Sequence, residues 1–234
     1  MTMLSLSRTL RFSLIGLLIM APAVHAGSEQ DQVARLATET LHDIAEIPEQ
    51  GIPPALMTNA YAVAVIPRVI KAGLLFGGRY GTGLLTVRTP NNEWSNPAFI
   101  ELYGGSFGLQ IGVQSTDVVL VFKHRKSVDN IFEGKVTLGA DASVAAGPVG
   151  RRAEASTDAE LQAEVYSYSR SRGLFAGVSL EGAILQIDYP ANDSFYGRAY
   201  SAAEILSDLQ IRRPAEASQF LQVLNRYTPK PSPN

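Results

Sequence analysis

Glycine recurs inside stretches whose other residues are those of a β-strand. Between Tyr61 and Tyr189 the chain is rich in Val, Ile, Leu, Tyr and Phe. Gly73, Gly77, Gly78, Gly81 and Gly83 nevertheless fall in one stretch, Gly104, Gly105, Gly108 and Gly112 in a second, and Gly173, Gly177 and Gly182 in a third. A glycine within a strand gives up side-chain packing and costs backbone entropy, so it marks a bulge, a sharp bend or the close approach of another backbone. Repeated along the chain, the pattern predicts many short strands in a strongly curved antiparallel sheet, barrel-like or folded as a sandwich, with glycine at its corners. Phe99-Ile100-Glu101-Leu102-Tyr103 alternates as a half-exposed strand should. Val118 to Phe122 is a continuous apolar run, expected where a strand is covered on both faces.

Helical signals flank this region. Val33, Leu36, Leu41, Ile44 and Ile47 recur near helical spacing, Ser28 and Asp31 have the spacing of a capping box, and Pro48 supplies a stop. Pro53-Pro54 can open a second short helix through Asn59, and Ser127 to Phe132 reads as a helical turn. Ser201 to Leu209 has Ser201 as cap with Glu204 in the box position, and Pro214 to Tyr227 places Ala217, Phe220, Leu221 and Leu224 on one face. The expected class is therefore α+β: a strongly curved, Gly-rich antiparallel sheet with N-terminal and C-terminal helices packed on it. No linker divides residues 27–228, which are expected to form a single domain, and the proline-rich tail 229–234 is expected to be disordered.

Residues 1–26 read as a signal peptide. Arg8 and Arg11 make a basic n-region, Phe12 to Met20 an apolar h-region, and Ala23-Val24-His25-Ala26 offers small residues for cleavage between Ala26 and Gly27. The apolar run is shorter than the roughly 18 residues of a membrane-spanning helix. The expected location is periplasmic or secreted, with peripheral membrane association allowed.

The chain has no cysteine, which excludes thiolate zinc sites, iron–sulfur clusters and cysteine nucleophiles, and a formal charge of −2 argues against a surface built for nucleic acid. Gly104-Gly105-Ser106-Phe107-Gly108 matches the nucleophile-elbow pattern of serine hydrolases. That elbow needs a helix after the serine, whereas Leu109, Ile111 and Val113 continue in strand alternation, so no catalytic residue is expected. Gly77 to Gly83 lacks both the dinucleotide-binding spacing and the Lys-Ser/Thr end of a P-loop. His42 has Glu39, Asp43 and Glu46 nearby but no second ligand at metal spacing, so it reads as a helix-face residue and neither metal nor cofactor is expected. Lys123-His124-Arg125-Lys126 puts a positive patch at the end of the apolar run, suited either to phosphate or to keeping a sheet edge from pairing.

Ala145-Ala146-Gly147-Pro148-Val149-Gly150-Arg151, followed by the run from Tyr166-Ser167-Tyr168-Ser169-Arg170-Ser171 to Gly182, resembles the SYLF domain, a lipid-binding family whose eukaryotic relatives also carry an actin-binding label. Ile66-Pro67, Lys71-Ala72-Gly73, Trp94-Ser95, Leu138-Gly139 and Tyr196-Gly197 agree in order, so that the likeness covers about residues 40 to 209. The resemblance implies binding to a lipid or membrane surface and no enzymatic activity. Joined to the export signal, it leads to the expectation of a lipid-binding protein of the bacterial cell envelope that contacts anionic phospholipid. The alternative is a periplasmic structural or protein-interaction module. Actin is an unlikely partner for an exported protein, and nucleic acid is not expected.

Residues 27–50 hold Glu29, Asp31, Glu39, Asp43, Glu46 and Glu49 against Arg35 alone, so attraction to an anionic surface must come from elsewhere. The residues expected to supply it are Arg68, Lys71, Arg79, Lys123, Arg125, Lys126, Arg151, Arg152 and Arg170. Tyr166 and Tyr168 are expected on one strand face, with Ser167 and Ser169 on the other. Arg170 is open to Asp158, Glu181 or a phosphate.

Overall fold

The computed structural model describes residues 28–47, 51–73, 76–107, 112–132, 134–148, 162–171, 174–175 and 180–228. The signal-peptide segment, its cleavage point and the tail 229–234 lie outside these residues.

Among the described residues nine strands form one sheet. They are β1 (Ala62–Gly73), β2 (Phe76–Val87), β3 (Ala98–Phe107), β4 (Gly112–Phe122), β5 (Lys135–Thr137), β6 (Val144–Ala146), β7 (Val165–Ser171), β8 (Leu174–Phe175) and β9 (Ile184–Ile187). Their order across the sheet is β5-β9-β3-β2-β1-β4-β7-β6, with β8 paired to β7. The sheet is strongly curled, and the class is α+β as the glycine pattern predicts. Two details differ from expectation. β6 and β7 run parallel, so the sheet is mixed. The four central strands are also long, 10 to 12 residues each, because glycine here sits within strands rather than ending them.

Six helices among the described residues accompany the sheet: α1 (Glu29–Ala45), α2 (Pro54–Thr58), α3 (Lys126–Phe132), α4 (Tyr189–Tyr196), α5 (Ala202–Ser207) and α6 (Ala215–Tyr227). α1 and α5 begin with complete capping boxes, Ser28 with Asp31 and Ser201 with Glu204, each satisfying two orphan backbone groups. Helix α4 has its own start signal in the side chain of Asp188, which accepts from the Ala191 N–H, and it ends at Gly197 in the left-handed conformation at φ 71°.

The sheet carries a core on each face. Ala62, Ala64, Ile66, Leu85, Ile100, Val118, Leu120 and Phe122 face α3 and α5. Val63, Val65, Leu84, Phe99, Val119, Val121, Tyr166 and Tyr168 face α1, α2, α4 and α6. Coverage on both sides is why Ala62–Ile66 and Val118–Phe122 are unbroken buried runs. Beyond these runs β1 to β4 project past both cores, and residues 112–115 of β4 are exposed.

One bulge in β1 marks the boundary. The register with β2 shifts between Val65 and Ile70 and that with β4 between Ile66 and Val69, each by a single extra residue on β1, and Arg68 has φ 50°. One residue reverses the facing of everything that follows, so Ile70 lies on the face that Val63 and Val65 occupy, beyond the covered part of the sheet. Glycine opposite the bulge makes this possible. A Cβ on Gly83 would overlap the Val65 carbonyl oxygen, and one on Gly81 would lie 2.9 Å from Val69 Cγ2.

Candidate functional site

The bulge presents the Arg68 backbone N–H toward β4, where Asp117 Oδ1 accepts it at 3.0 Å. The second oxygen of Asp117 accepts from Arg170 of β7 at 3.3 Å, and the same guanidinium nitrogen donates to Asp43 of α1 at 2.6 Å. Four elements are thus tied through one arginine: the β1 bulge, β4, β7 and α1. Burial pulls the Arg170 guanidinium down, but its bonds and charge contacts with the two aspartates outweigh this and leave it above its ordinary value. Among the described residues Arg170 pairs with Asp43 and Asp117 rather than with Glu181, and Asp158 lies outside the described residues. A cavity of about 120 Å³ lies between Glu39, Thr40 and Asp43 of α1 and Pro67 and Arg68 of the bulge.

Tyr166 and Tyr168 share the face turned to the helices, and Ser167 and Ser169 are buried beside them on the same strand. Tyr168 is fully buried, and burial, helped by Tyr166, pushes its phenol well above the ordinary range. Its hydroxyl donates to the Pro148 carbonyl at 3.3 Å. Gly147 crosses this ring so closely that a Cβ would overlap it, a physical reason for glycine at the head of the Gly147-Pro148 pair.

The remaining candidates among the described residues lie on different elements. Lys71 and Arg79 are direct partners across β1 and β2 on the projecting part of the sheet. Lys123 follows β4, with its N–H donating to the Glu164 carbonyl at 3.0 Å. Arg125 pairs with Asp129 one helical turn on at 3.3 Å, and Lys126 opens α3. Arg151 and Arg152 lie outside the described residues. On the projecting part Tyr80 is half-exposed and donates to Glu101 at 2.9 Å; burial first, then that bond, pushes its phenol up to about 12. His42 is not simply a solvated residue, because its Nδ1 lies 2.7 Å from the Tyr227 hydroxyl and links α1 to α6.

Ser106 belongs to β3 opposite Gly77, while residues 108–111 that follow it, on which the strand alternation was read, lie outside the described residues. Among the described residues no group of three His, Asp or Glu side chains is placed to hold a metal ion, and no helix is long and apolar enough to cross a membrane.

Residues 103–227 match the family model described as Ysc84, Las17-binding protein actin regulator. An SH3 domain-containing protein of Schizosaccharomyces pombe is 42% identical over 180 residues, which span 76% of this chain and 41% of that protein. SH3 domain-containing YSC84-like protein 1 of Xenopus laevis is 38% identical over 209 residues, 87% of this chain and 61% of the relative. LAS seventeen-binding protein 3 of Saccharomyces cerevisiae is 40% identical over 179 residues, 75% and 39% respectively. The chain thus spans between about two fifths and three fifths of the length of these relatives.

These relatives correct three expectations. They are proteins of yeasts and a frog, named for SH3 domains and for binding Las17, and they overturn the reading as a lipid-binding protein of a bacterial envelope. The periplasmic or secreted location falls with it, as does the periplasmic setting of the alternative module. The expectation that actin is an unlikely partner fails too, because it rested only on export.

Proposed function

This chain belongs to the Ysc84 (SYLF) family, and from that premise we propose that it is a protein-binding module of the actin-regulator type, acting by contact with actin and without catalysis. The observation that carries this reading is the spread of the likeness. Identity of 38% to 42% extends over 75% to 87% of this chain, so what the relatives share with it is this domain. The site geometry supports the same view. The polar cluster Arg68-Asp117-Arg170-Asp43 is engaged in holding strands and helix together, and Ser106 lies in strand β3.

Co-sedimentation of the full chain with actin filaments tests the proposal. The expected result is saturable pelleting at micromolar actin, weakened by added salt if cations contribute. A chain that stays in the supernatant over that range overturns it.

A further inference from the structure

Arg88 follows the last residue of β2 and begins the turn toward β3. Its guanidinium carbon stands 4.0 Å over the ring of Trp94, its cross-strand partner, and its Nη1 donates to the Asn92 carbonyl at 3.1 Å. Asn92 adopts the left-handed conformation at φ 59°, which asparagine tolerates in a turn. Trp94 is itself fixed. Its Nε1 donates to the Thr228 hydroxyl at 2.8 Å, and that hydroxyl donates to the Leu224 carbonyl of α6 at 2.7 Å. One face and one nitrogen of the guanidinium are therefore held in place, and Arg88 is only 8% exposed.

The other two nitrogens, Nε and Nη2, are buried and make no hydrogen bond. In a guanidinium these two N–H groups lie side by side and point the same way, forming the edge that receives both oxygens of one carboxylate. A buried donor without an acceptor is costly, and more so when it carries charge; stacking on Trp94 offsets part of that cost. Burial pulls the Arg88 guanidinium below its ordinary value, and no carboxylate among the described residues lifts it back. Arg170 is the contrast, because two aspartates meet it and leave it above its ordinary value. At Arg88 the described residues orient a cation and supply no counter-group.

We infer that the Nε–Nη2 edge of Arg88 is a binding site for a single carboxylate group of a ligand. One guanidinium carries one charge, which a carboxylate matches and a phosphate dianion exceeds, and two parallel donors suit two coplanar oxygens. Arg88 is two residues from the exposed Pro90, so the edge lies within a side chain's reach of the surface. A carboxylate on a short stem, from a glutamate side chain or a small organic acid, finds the plane of the fork already set by Trp94 and Asn92, which lowers the ordering cost of binding. The inference stands apart from the actin reading and uses no residue of the Asp43-Asp117-Arg170 cluster.

Trp94 is the chain's one tryptophan, so its emission reports on the guanidinium stacked against it. The test titrates the full chain with sodium acetate, with an end-blocked Gly-Glu-Gly peptide and with sodium phosphate, chloride holding the ionic strength constant. The expected result is a saturable change in emission with acetate and with the peptide, and binding of phosphate about tenfold weaker. Tighter binding of the peptide than of acetate assigns the site to a protein side chain, and equal binding assigns it to a small acid. Arg88→Lys keeps the cation but loses the fork, so it should weaken acetate about tenfold. Saturating acetate should also raise the thermal midpoint of the unsubstituted chain and leave that of Arg88→Lys where it was. Should Arg88→Lys not fold, the Arg88 Nε–H resonance of the unsubstituted chain decides, because acetate should shift it to saturation. No saturable response to acetate or the peptide, an undiminished response in Arg88→Lys, an unmoved Nε–H resonance, or phosphate bound as tightly as acetate would overturn the inference.

Discussion

Arg170 illustrates how one side chain can join parts of the chain that are far apart. Asp43 lies 127 positions before it and Asp117 53 positions before it, yet both carboxylates meet its guanidinium. With side-chain exposures of 23%, 42% and 21% for Arg170, Asp43 and Asp117, the cluster is partly screened by solvent, so its worth falls between that of a surface pair and a buried one. Arg170→Met should therefore lower stability by about 1–2 kcal/mol in urea unfolding, with the loss diminishing in Asp117→Asn, where one of the facing charges is already gone. Gly147 poses the opposite problem, a lack of space. Because an added methyl would overlap the Tyr168 ring, Gly147→Ala should cost about 1–3 kcal/mol in the same assay. An unchanged midpoint would show that the ring can move aside.

At the scale of elements, the helix starts decide most. The Ser28 side chain accepts from the Asp31 N–H, and Asp31 returns the bond to the Ser28 N–H at 2.9 Å. Ser28→Ala should cost about 1 kcal/mol, read as a lower thermal midpoint. Helix α4 has a start whose strength depends on pH. Burial raises the Asp188 carboxyl above its ordinary 3.8, the bond from Ala191 opposes this, and the charges of Glu101 and Glu29 add to the rise. The folded chain thus holds this proton more tightly than the unfolded chain, so the contribution of Asp188 to stability is greatest at acid pH and declines as pH rises from near 3.8 through the raised value. Asp188→Asn keeps a capping oxygen and removes the titration. Thermal unfolding as a function of pH should show that component flattened in the variant, and identical pH profiles for the two chains would refute the assignment.

For the molecule as a whole, the two cores share the same strands. Leu120 points to one face and Val119 and Val121, its neighbours on β4, to the other, so neither core can dissolve while the other keeps the sheet. Leu120→Ala in the first core and Phe220→Ala in the second should each lower stability by about 2–5 kcal/mol within a single cooperative transition. Two resolved transitions in either variant would show that the faces unfold separately.

Much of this was legible in advance because the signals are local. A capping box needs only Ser28 and Asp31, and a doubly covered strand announces itself in five consecutive apolar residues from Val118 to Phe122. Helix α4 was missed although Asp188 before Pro190 is a helix-start signal, because Ala191-Asn192-Asp193 lacks an apolar period. Strand length was misjudged for a related reason. A glycine that ends a strand and one that lets a neighbour press close look alike until the neighbour is known, and at Gly83 that neighbour is the β1 bulge.

The sequence alone determined the class, the capped starts of α1 and α5 and the glycine-dependent curl, since each follows from residues a few positions apart acting through capping, periodicity and backbone freedom. Only the tertiary structure decided that Arg170 is held by Asp43 and Asp117, that Lys71 faces Arg79, and that a bulge in β1 sets the facing of the strand beyond it. Those outcomes depend on strand register, and register is set by the packing of both faces at once, which no local stretch of chain contains.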